Sequence, residues 1–171
     1  MKNFGLGVLV AVVFSAGVGY TAQKSDDQVL REVRDRAEIE DLMWRYTRAL
    51  DTTDADAYAA AYTADGQFSA GTNVTKGRDA LKKMVADLRA GNAAQEAKGV
   101  RRPAMYHMTA NHAVTFLGKD SARVDAYYLT AFGAAGQETP LRVSAVGRSV
   151  DELVRQNGRW LIKSRNVAPM N

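Results

Sequence analysis

Apolar residues recur at helical spacing in the first part of this chain and alternate with polar residues in the last part. Between about Val29 and Leu50 they occupy every third or fourth position, which predicts a helix with one buried face. A similar apolar stripe follows Gly77. After Pro103 the period falls to two, which is typical of strands with one buried face. The pattern therefore predicts helices first and a sheet afterwards.

Capping residues indicate where the helices begin and end. The first helix is predicted over residues 29–50. Thr53, followed three residues later by Asp56, resembles a capping box, so a second helix is predicted to begin there. Gly77 introduces a third helix, which Gly91 is predicted to end.

Glycine-containing turns separate the predicted strands. Residues 64–66 are predicted to form a turn, and residues 118–120 and 156–158 to form hairpin turns, the second of which contains the strong Asn-Gly signal. Helices followed by a strand meander predict an α+β fold in which a curved antiparallel sheet packs against the helices. The predicted strands begin near residue 67 and then cover residues 105–117, 122–132, 141–155 and 159–167.

The beginning of the chain has the pattern of an export signal. Lys2 precedes an apolar run over residues 4–20, and small and polar residues follow it. We therefore predict a signal peptide at residues 1–22, a single domain over residues 23–171, and a periplasmic or secreted location. The apolar run is about 17 residues long, at the lower limit for crossing a bilayer, so an uncleaved anchor is an open alternative.

Composition excludes some classes of function. The chain has 171 residues, no cysteine and a formal net charge of +4. One domain of this length buries a core without disulfides. Its basic residues include the pairs Lys82-Lys83 and Arg101-Arg102 but no basic stripe with interleaved aromatic residues, so nucleic-acid binding is not expected.

The two histidines of the chain, His107 and His112, lie in one predicted strand. A spacing of five residues directs them to opposite faces if the strand is regular. A metal site is not expected, because this spacing separates the histidines and no cysteine cluster accompanies them. A lone strand histidine serves either a structural or a catalytic role.

The first predicted helix carries Tyr46 on its apolar face and Asp51 at its end. A carboxylate at the C-terminus of a helix opposes the helix dipole. Asp51 therefore either lies in an exposed turn or has a functional role that offsets this unfavourable position. From spacing alone, the turn is the simpler interpretation.

Five short segments together resemble the SnoaL-like branch of the nuclear transport factor 2-like superfamily. The resemblance implies a cone-shaped α+β fold, with the curved antiparallel sheet packed against three N-terminal helices. It implies less about function, because that fold serves enzymes and plain binding modules alike. The segments are YTRALD at 46–51, DGQF at 65–68, KGRDAL at 76–81, MYHMTAN at 105–111 and NGRW at 157–160.

Within that superfamily the chain looks closest to scytalone dehydratase, bile-acid 7α-dehydratase and hexachlorocyclohexane dehydrochlorinase. The resemblance implies catalytic roles for Asp51 and His107, and for Tyr46, which matches a tyrosine of the bile-acid enzyme. The second carboxylate of that enzyme falls near Thr130, where this chain has no acid. Leu50 replaces the tyrosine that adjoins the aspartate in the scytalone enzyme. Arg148 and Arg165 match the late arginine of these enzymes by location only.

The implied chemistry needs no cofactor. Asp51 would accept the Nδ1–H of His107, whose Nε2 would remove a proton from a carbon beside a carbonyl or leaving group. Tyr46 would donate a hydrogen bond to the oxygen that gains charge. The predicted function is an exported lyase or isomerase for a small hydrophobic molecule. Two alternatives stay open: a non-catalytic binding protein and a dimerisation module. A homo-oligomer, either a dimer or a trimer, is expected.

Strand alternation selects further residues that would contact the substrate. If His107 faces a pocket, Met105 on the same strand does too, and Asn166 shares a face of the last strand with Trp160. Aromatic residues in such stripes are more often core than ligand contacts. The predicted substrate-binding residues are Trp44, Met105, Tyr128, Thr130, Phe132 and Asn166.

Overall fold

The structure, a computed structural model, describes residues 24–100, 103–133 and 140–169. The predicted signal peptide lies outside the described residues. Within them, no helix is both long and apolar enough to span a bilayer. The helices are α1 (Asp26–Asp51), α2 (Ala55–Ala60) and α3 (Arg78–Glu96), and the strands are β1 (Tyr62–Ala70), β2 (Asn73–Lys76), β3 (Met105–Gly118), β4 (Ser121–Phe132), β5 (Arg142–Gln156) and β6 (Arg159–Asn166).

The six strands form one curled sheet in the order β2-β1-β6-β5-β4-β3. Four neighbouring pairs are antiparallel, whereas β1 and β6 run parallel. The sheet is therefore mixed, because the meander from β3 to β6 returns the last strand beside β1 in the same direction. The predicted α+β fold, with a curved sheet against N-terminal helices, is confirmed.

The long helix α1 supplies one wall of the core. Ser25 caps its N-terminus, with its side chain accepting a hydrogen bond from the Gln28 N–H. Each large apolar side chain fully buried on its inner face contributes about 1.5–3 kcal/mol. Arg155 of β5 holds the helix to the sheet by binding Asp35, and its guanidinium lies 4.7 Å from the centre of the Trp160 ring. The buried apolar residues of α1 are Ile39, Leu42, Met43, Tyr46 and Ala49.

Two predicted helix boundaries are wrong. Asp54, not Thr53, caps α2, because its carboxylate accepts the Ala57 N–H at 3.0 Å while Thr53 adopts a left-handed φ of 52°. Gly91 does not end α3, which continues to Glu96. The residues that follow Gly91 include good helix formers, so the intrinsic cost of one glycine, about 1 kcal/mol, is outweighed.

The predicted turn at residues 64–66 is instead an irregular part of β1. The pairing of β1 with β6 shifts register between Tyr62 and Gln67. Gly66 lies so close to β6 that a Cβ there would be 3.0 Å from the Ile162 carbonyl oxygen. The glycine thus permits a close approach of two backbones, which is a common use of glycine within strands. The hairpin turns predicted at residues 118–120 and 156–158 are confirmed.

Candidate active site

Helix α1 ends at Asp51, and the Asp51 carboxylate contacts His107 in β3. Its Oδ1 accepts the backbone N–H of His107 at 2.9 Å and lies 2.8 Å from the Nδ1 of the imidazole. Strand β3 is the last in the sheet order, so its outward N–H groups lack a neighbouring strand. The carboxylate supplies one of the missing acceptors, which explains its position at an unfavourable helix end.

The contact fixes which ring nitrogen of His107 is available. A carboxylate oxygen accepts, so Nδ1 carries a hydrogen and Nε2 is left for another partner. The Asp51 side chain is 8% exposed and the His107 side chain 21% exposed. A nearly buried carboxylate therefore holds the imidazole at Nδ1, while part of the ring stays accessible to solvent.

Two adjoining cavities, of about 550 Å³ and about 480 Å³, border His107. We call them the upper cavity and the lower cavity. Both lie between α1 and β3 and share Trp44, Thr47, His107 and Met108. Each has the size of a small-molecule site. The upper cavity also touches Ala37, Glu40, Asp41, Met43, Thr109 and His112, and the lower cavity touches Arg48, Asp51, Tyr106, Leu129, Ala131, Leu141 and Val143.

The face of the sheet that carries His107 also carries Met105, Tyr128, Thr130 and Phe132, but none of these predicted substrate-binding residues borders either cavity. In the β3–β4 register, His107 lies opposite Thr130, Met105 opposite Phe132, and Thr109 opposite Tyr128. Directly opposed residues of an antiparallel pair share a face. The ring of Tyr128 lies against Gly147 of β5, where a Cβ would be 2.9 Å from its Cε1.

Trp44 and Asn166, the other predicted substrate-binding residues, have different surroundings. Trp44 is 64% exposed and borders both cavities, so it stands at their opening. The Asn166 side chain accepts the Ala168 N–H at 3.0 Å, a local turn contact. A register shift between β5 and β6 breaks the alternation, so buried Trp160 and Arg165 lie on the inside and Asn166 does not share their face.

Tyr46 lies in the interior and not beside the pair. It is 3% exposed, and its ring packs against those of Tyr58 and Tyr62 at centroid distances of 5.3 and 6.1 Å. Among the described residues, no hydrogen bond joins Tyr46 to Asp51 or His107. Residues five apart on a helix differ by about 140° in direction, which separates the phenol from the carboxylate.

Beneath Tyr46 lies a buried ion pair between Arg165 of β6 and Asp151 of β5. Both are almost fully enclosed, and the Arg165 guanidinium lies 4.8 Å from the centre of the Tyr46 ring. Burial raises the pKa of Asp151 to about 6, although Arg165 acts in the opposite direction. Burial likewise raises the pKa of Tyr62. We call Tyr46, Tyr58, Tyr62, Asp151 and Arg165 the interior cluster.

The prediction that the two histidines face opposite sides is wrong. The β3–β4 register shifts between Ala110 and Ala113, and Asn111 has a left-handed φ of 55°. This β-bulge adds one residue to β3 and reverses the alternation beyond it. His112 consequently borders the upper cavity together with His107. Asparagine is among the few residues that tolerate this backbone conformation. Asn111 was therefore the one sequence signal that could have indicated the bulge.

Sequence reasoning also missed the residues of α1 that face His107. Thr47 is buried and borders both cavities, and Glu40 borders the upper one. Counting back from Asp51 in steps of three or four residues would have found them. His112 is exposed, but partial desolvation lowers its pKa; the Glu40 carboxylate opposes that shift, and the Arg165 guanidinium adds to it.

A third cavity, of about 610 Å³, is larger but has different chemistry. It lies between the end of α1, α2 and the start of β6, and its lining includes Arg48, Arg159 and Trp160 but no histidine. We therefore place the candidate site at His107 because of its titratable side chains, although the third cavity has the larger volume. In the described part of the chain, no group of three or more potential ligands could hold a metal ion.

Comparisons with known proteins agree with this architecture. A family described as SnoaL-like domain matches residues 31–166. A comparison with curated proteins finds no match.

Three solved structures illustrate the similarity of fold. A protein from Novosphingobium aromaticivorans described as NTF2-like with a cystatin-like fold is 23% identical, with 84% of this chain and 86% of that chain covered and a TM-score of 0.67. A "putative scytalone dehydratase" from the same organism is 24% identical, with 81% and 85% covered and a TM-score of 0.63. ActVI-ORFA from Streptomyces coelicolor is 22% identical, with 78% and 95% covered and a TM-score of 0.64. Identities this low show the fold alone.

Proposed function

This chain belongs to the SnoaL-like domain family, and from that premise we propose that it is a cofactor-independent lyase or isomerase. Its substrate would be a small hydrophobic molecule that carries a carbonyl group. The observation that carries the proposal is the 2.8 Å contact between Asp51 Oδ1 and His107 Nδ1 beside two cavities. The mixed apolar and polar lining of both cavities suits such a ligand.

His107 would act as the base. Asp51 holds the Nδ1–H and stabilises the imidazolium that forms when Nε2 accepts a proton. That proton would come from the carbon next to the carbonyl, leaving an enolate. If a hydroxyl stands on the next carbon, it leaves as water with the proton held by His107 Nε2, which completes an elimination. If a carbon–carbon double bond adjoins the enolate instead, return of the proton to the far carbon of that double bond completes an isomerisation.

The test separates proton removal from elimination. In deuterium oxide, the wild type should exchange the α-protons of α-tetralone and dehydrate a β-hydroxy derivative of it, both followed by NMR. Asp51→Asn and His107→Gln should lose both activities by at least about a hundredfold. Asp87→Asn, an exposed carboxylate on α3, is the matched control and should keep them. Equal rates in the wild type and in His107→Gln would refute the proposal.

A non-catalytic binding protein is the second candidate function. The enclosure of Tyr46 in the interior cluster favours it, because a hydrogen-bond donor expected beside the base is absent from that position. Such a protein would bind α-tetralone, with shifts of the His107 resonances, without exchanging its protons. The same NMR samples therefore distinguish the two functions.

We also propose that the protein is exported and that it forms a homo-oligomer. The apolar run at residues 4–20 supports export, and mass spectrometry of the protein from its host should find an N-terminus near Gln23. The outer face of the sheet supports association, because it exposes neighbouring apolar residues of β3, β4 and β5. Light scattering should show a dimer or trimer, and Val146→Lys should shift it towards monomer. These residues include Tyr127 and Val146, together with Tyr106, Met108 and Val143, which also border the lower cavity.

A further inference from the structure

The proposed reaction needs a group that the Asp51–His107 pair does not provide. When a base removes a proton beside a carbonyl, negative charge develops on the carbonyl oxygen. A hydrogen-bond donor directed at that oxygen typically changes the rate by about 10²- to 10³-fold. Tyr46 was expected to be this donor, but it is enclosed in the interior cluster.

The β-bulge at Asn111 places another donor at the right cavity. His112 borders the upper cavity with His107, and both histidines of the chain therefore face one space of about 550 Å³. His112 is exposed, so its imidazole is accessible to a ligand in that cavity.

We propose that His112 donates a hydrogen bond to the ligand oxygen that becomes negative when His107 removes a proton. This inference rests on the proposed function and assigns a second residue to it. His107 Nε2 takes the proton as the carbon–hydrogen bond breaks, and the electron pair moves to the carbonyl oxygen, which His112 stabilises. Return of a solvent-exchanged proton from His107 restores the ketone, so no other reactant is needed.

The charged groups around His112 are compatible with a neutral imidazole that keeps one N–H. Glu40 and Asp41 of α1 border the upper cavity, and the positive charge of Arg165 on β6 also influences His112. Partial desolvation and the Arg165 charge lower the pKa of His112, and Glu40 only partly offsets them. A neutral imidazole still donates from one nitrogen, and such a group can polarise a carbonyl.

The experiment compares variants with and without a donor at residue 112. His112→Leu and His112→Met remove the N–H, whereas His112→Gln and His112→Asn place an amide N–H near one or the other ring nitrogen. The readouts are kcat and KM for α-proton exchange of α-tetralone in deuterium oxide. Ala110→Leu, on the exposed opposite side of β3, is the matched control for a leucine in this strand. Circular dichroism identifies any variant that fails to fold, and Met then replaces Leu.

We expect His112→Leu to lower kcat by about 10²- to 10³-fold with a much smaller change in KM. At least one amide variant should recover most of the loss. An unchanged kcat in both donor-free variants overturns the inference, as do equal losses in the donor-free and amide variants. If His107→Gln also leaves the exchange rate unchanged, the proposed function fails with it. If His107→Gln alone abolishes exchange, the proposed function stands without His112.

Discussion

Two carboxylate-centred pairs of the described structure, Asp51–His107 and Asp151–Arg165, differ in access. Asp51 holds His107 at the open edge strand, where the imidazole is 21% exposed beside two cavities. Asp151 holds Arg165 in the interior, where both side chains are at most 3% exposed. Charge pairing alone does not identify a reactive site, because only the pair at the edge can meet a ligand.

The two pairs also differ in how completely their atoms are bonded. One oxygen of Asp51 accepts from both the backbone and the ring of His107. In the interior pair, Asp151 Oδ1 and Arg165 Nε are buried without a hydrogen-bond partner in the described structure. Desolvation of such a pair offsets much of its attraction. The interior pair is thus retained at a cost in stability. In the edge pair, by contrast, Asp51 accepts a backbone N–H of β3 that has no neighbouring strand.

The largest expected effect is on turnover by Asp51→Asn. The amide keeps the shape and can still accept the backbone N–H of His107, but it carries no charge to stabilise an imidazolium. In a serine protease the corresponding change costs about 10⁴-fold in kcat, so we expect a loss of about 10²- to 10⁴-fold in α-tetralone exchange. Nitrogen-15 NMR of the His107 ring should show a changed tautomer population. An unchanged tautomer and an unchanged rate would mean that the two side chains do not interact in solution.

Breaking the interior pair should reduce stability most. Arg165→Met leaves Asp151 buried without a partner and should lower the free energy of unfolding by about 3–5 kcal/mol. Adding Asp151→Leu removes the stranded carboxylate and should restore much of the loss. Urea unfolding of the two variants measures both effects. A double variant no more stable than Arg165→Met would show that the interior pair contributes through packing and not through charge.

These two pairs show what could be predicted from the sequence. Helix α1, the four strands β3 to β6 and their hairpins follow from apolar periodicity and turn residues. The Asp51–His107 contact was expected from the resemblance and is present in the geometry. Local patterns do not contain the interior pair, because Asp151 and Arg165 meet only through the register of β5 with β6.

The features that were missed on the strands share one cause, which is interrupted alternation. A bulge in β3 turns His112 towards the cavity, and a register shift between β5 and β6 directs Arg165 inward and leaves Asn166 off that inner face. Rules of period two fail wherever one strand gains a residue. Positions that adopt left-handed backbone, such as Asn111, are the visible trace of such interruptions.

The interior carboxylate should also make stability depend on pH. The pKa of Asp151 in the folded protein, about 6, lies above its ordinary value of 3.8. Its protonated form therefore favours the folded state, and that contribution is present below pH 3.8 and is lost as pH rises through about 6. The expected loss is up to about 3 kcal/mol. Urea titrations at several pH values in the wild type and Asp151→Asn test this, because the variant should lack this slope. Parallel curves for the two proteins would contradict the assignment.

The smallest expected effect concerns the bulge that adds His112 to the open site. Asn111 has a φ of 55°, which costs an ordinary L-residue about 1–2 kcal/mol and costs glycine nothing. Asn111→Val should therefore lower the free energy of unfolding by about 1–2 kcal/mol, whereas Asn111→Gly should change it little. Because strain at residue 111 acts on the orientation of His112, Asn111→Val should also disturb the His112 resonance more than that of His107, which lies before the bulge. Urea unfolding and NMR of the two imidazoles measure these effects. If valine is tolerated as well as glycine, then β3 has no left-handed residue in solution and the shared cavity of the two histidines needs another explanation.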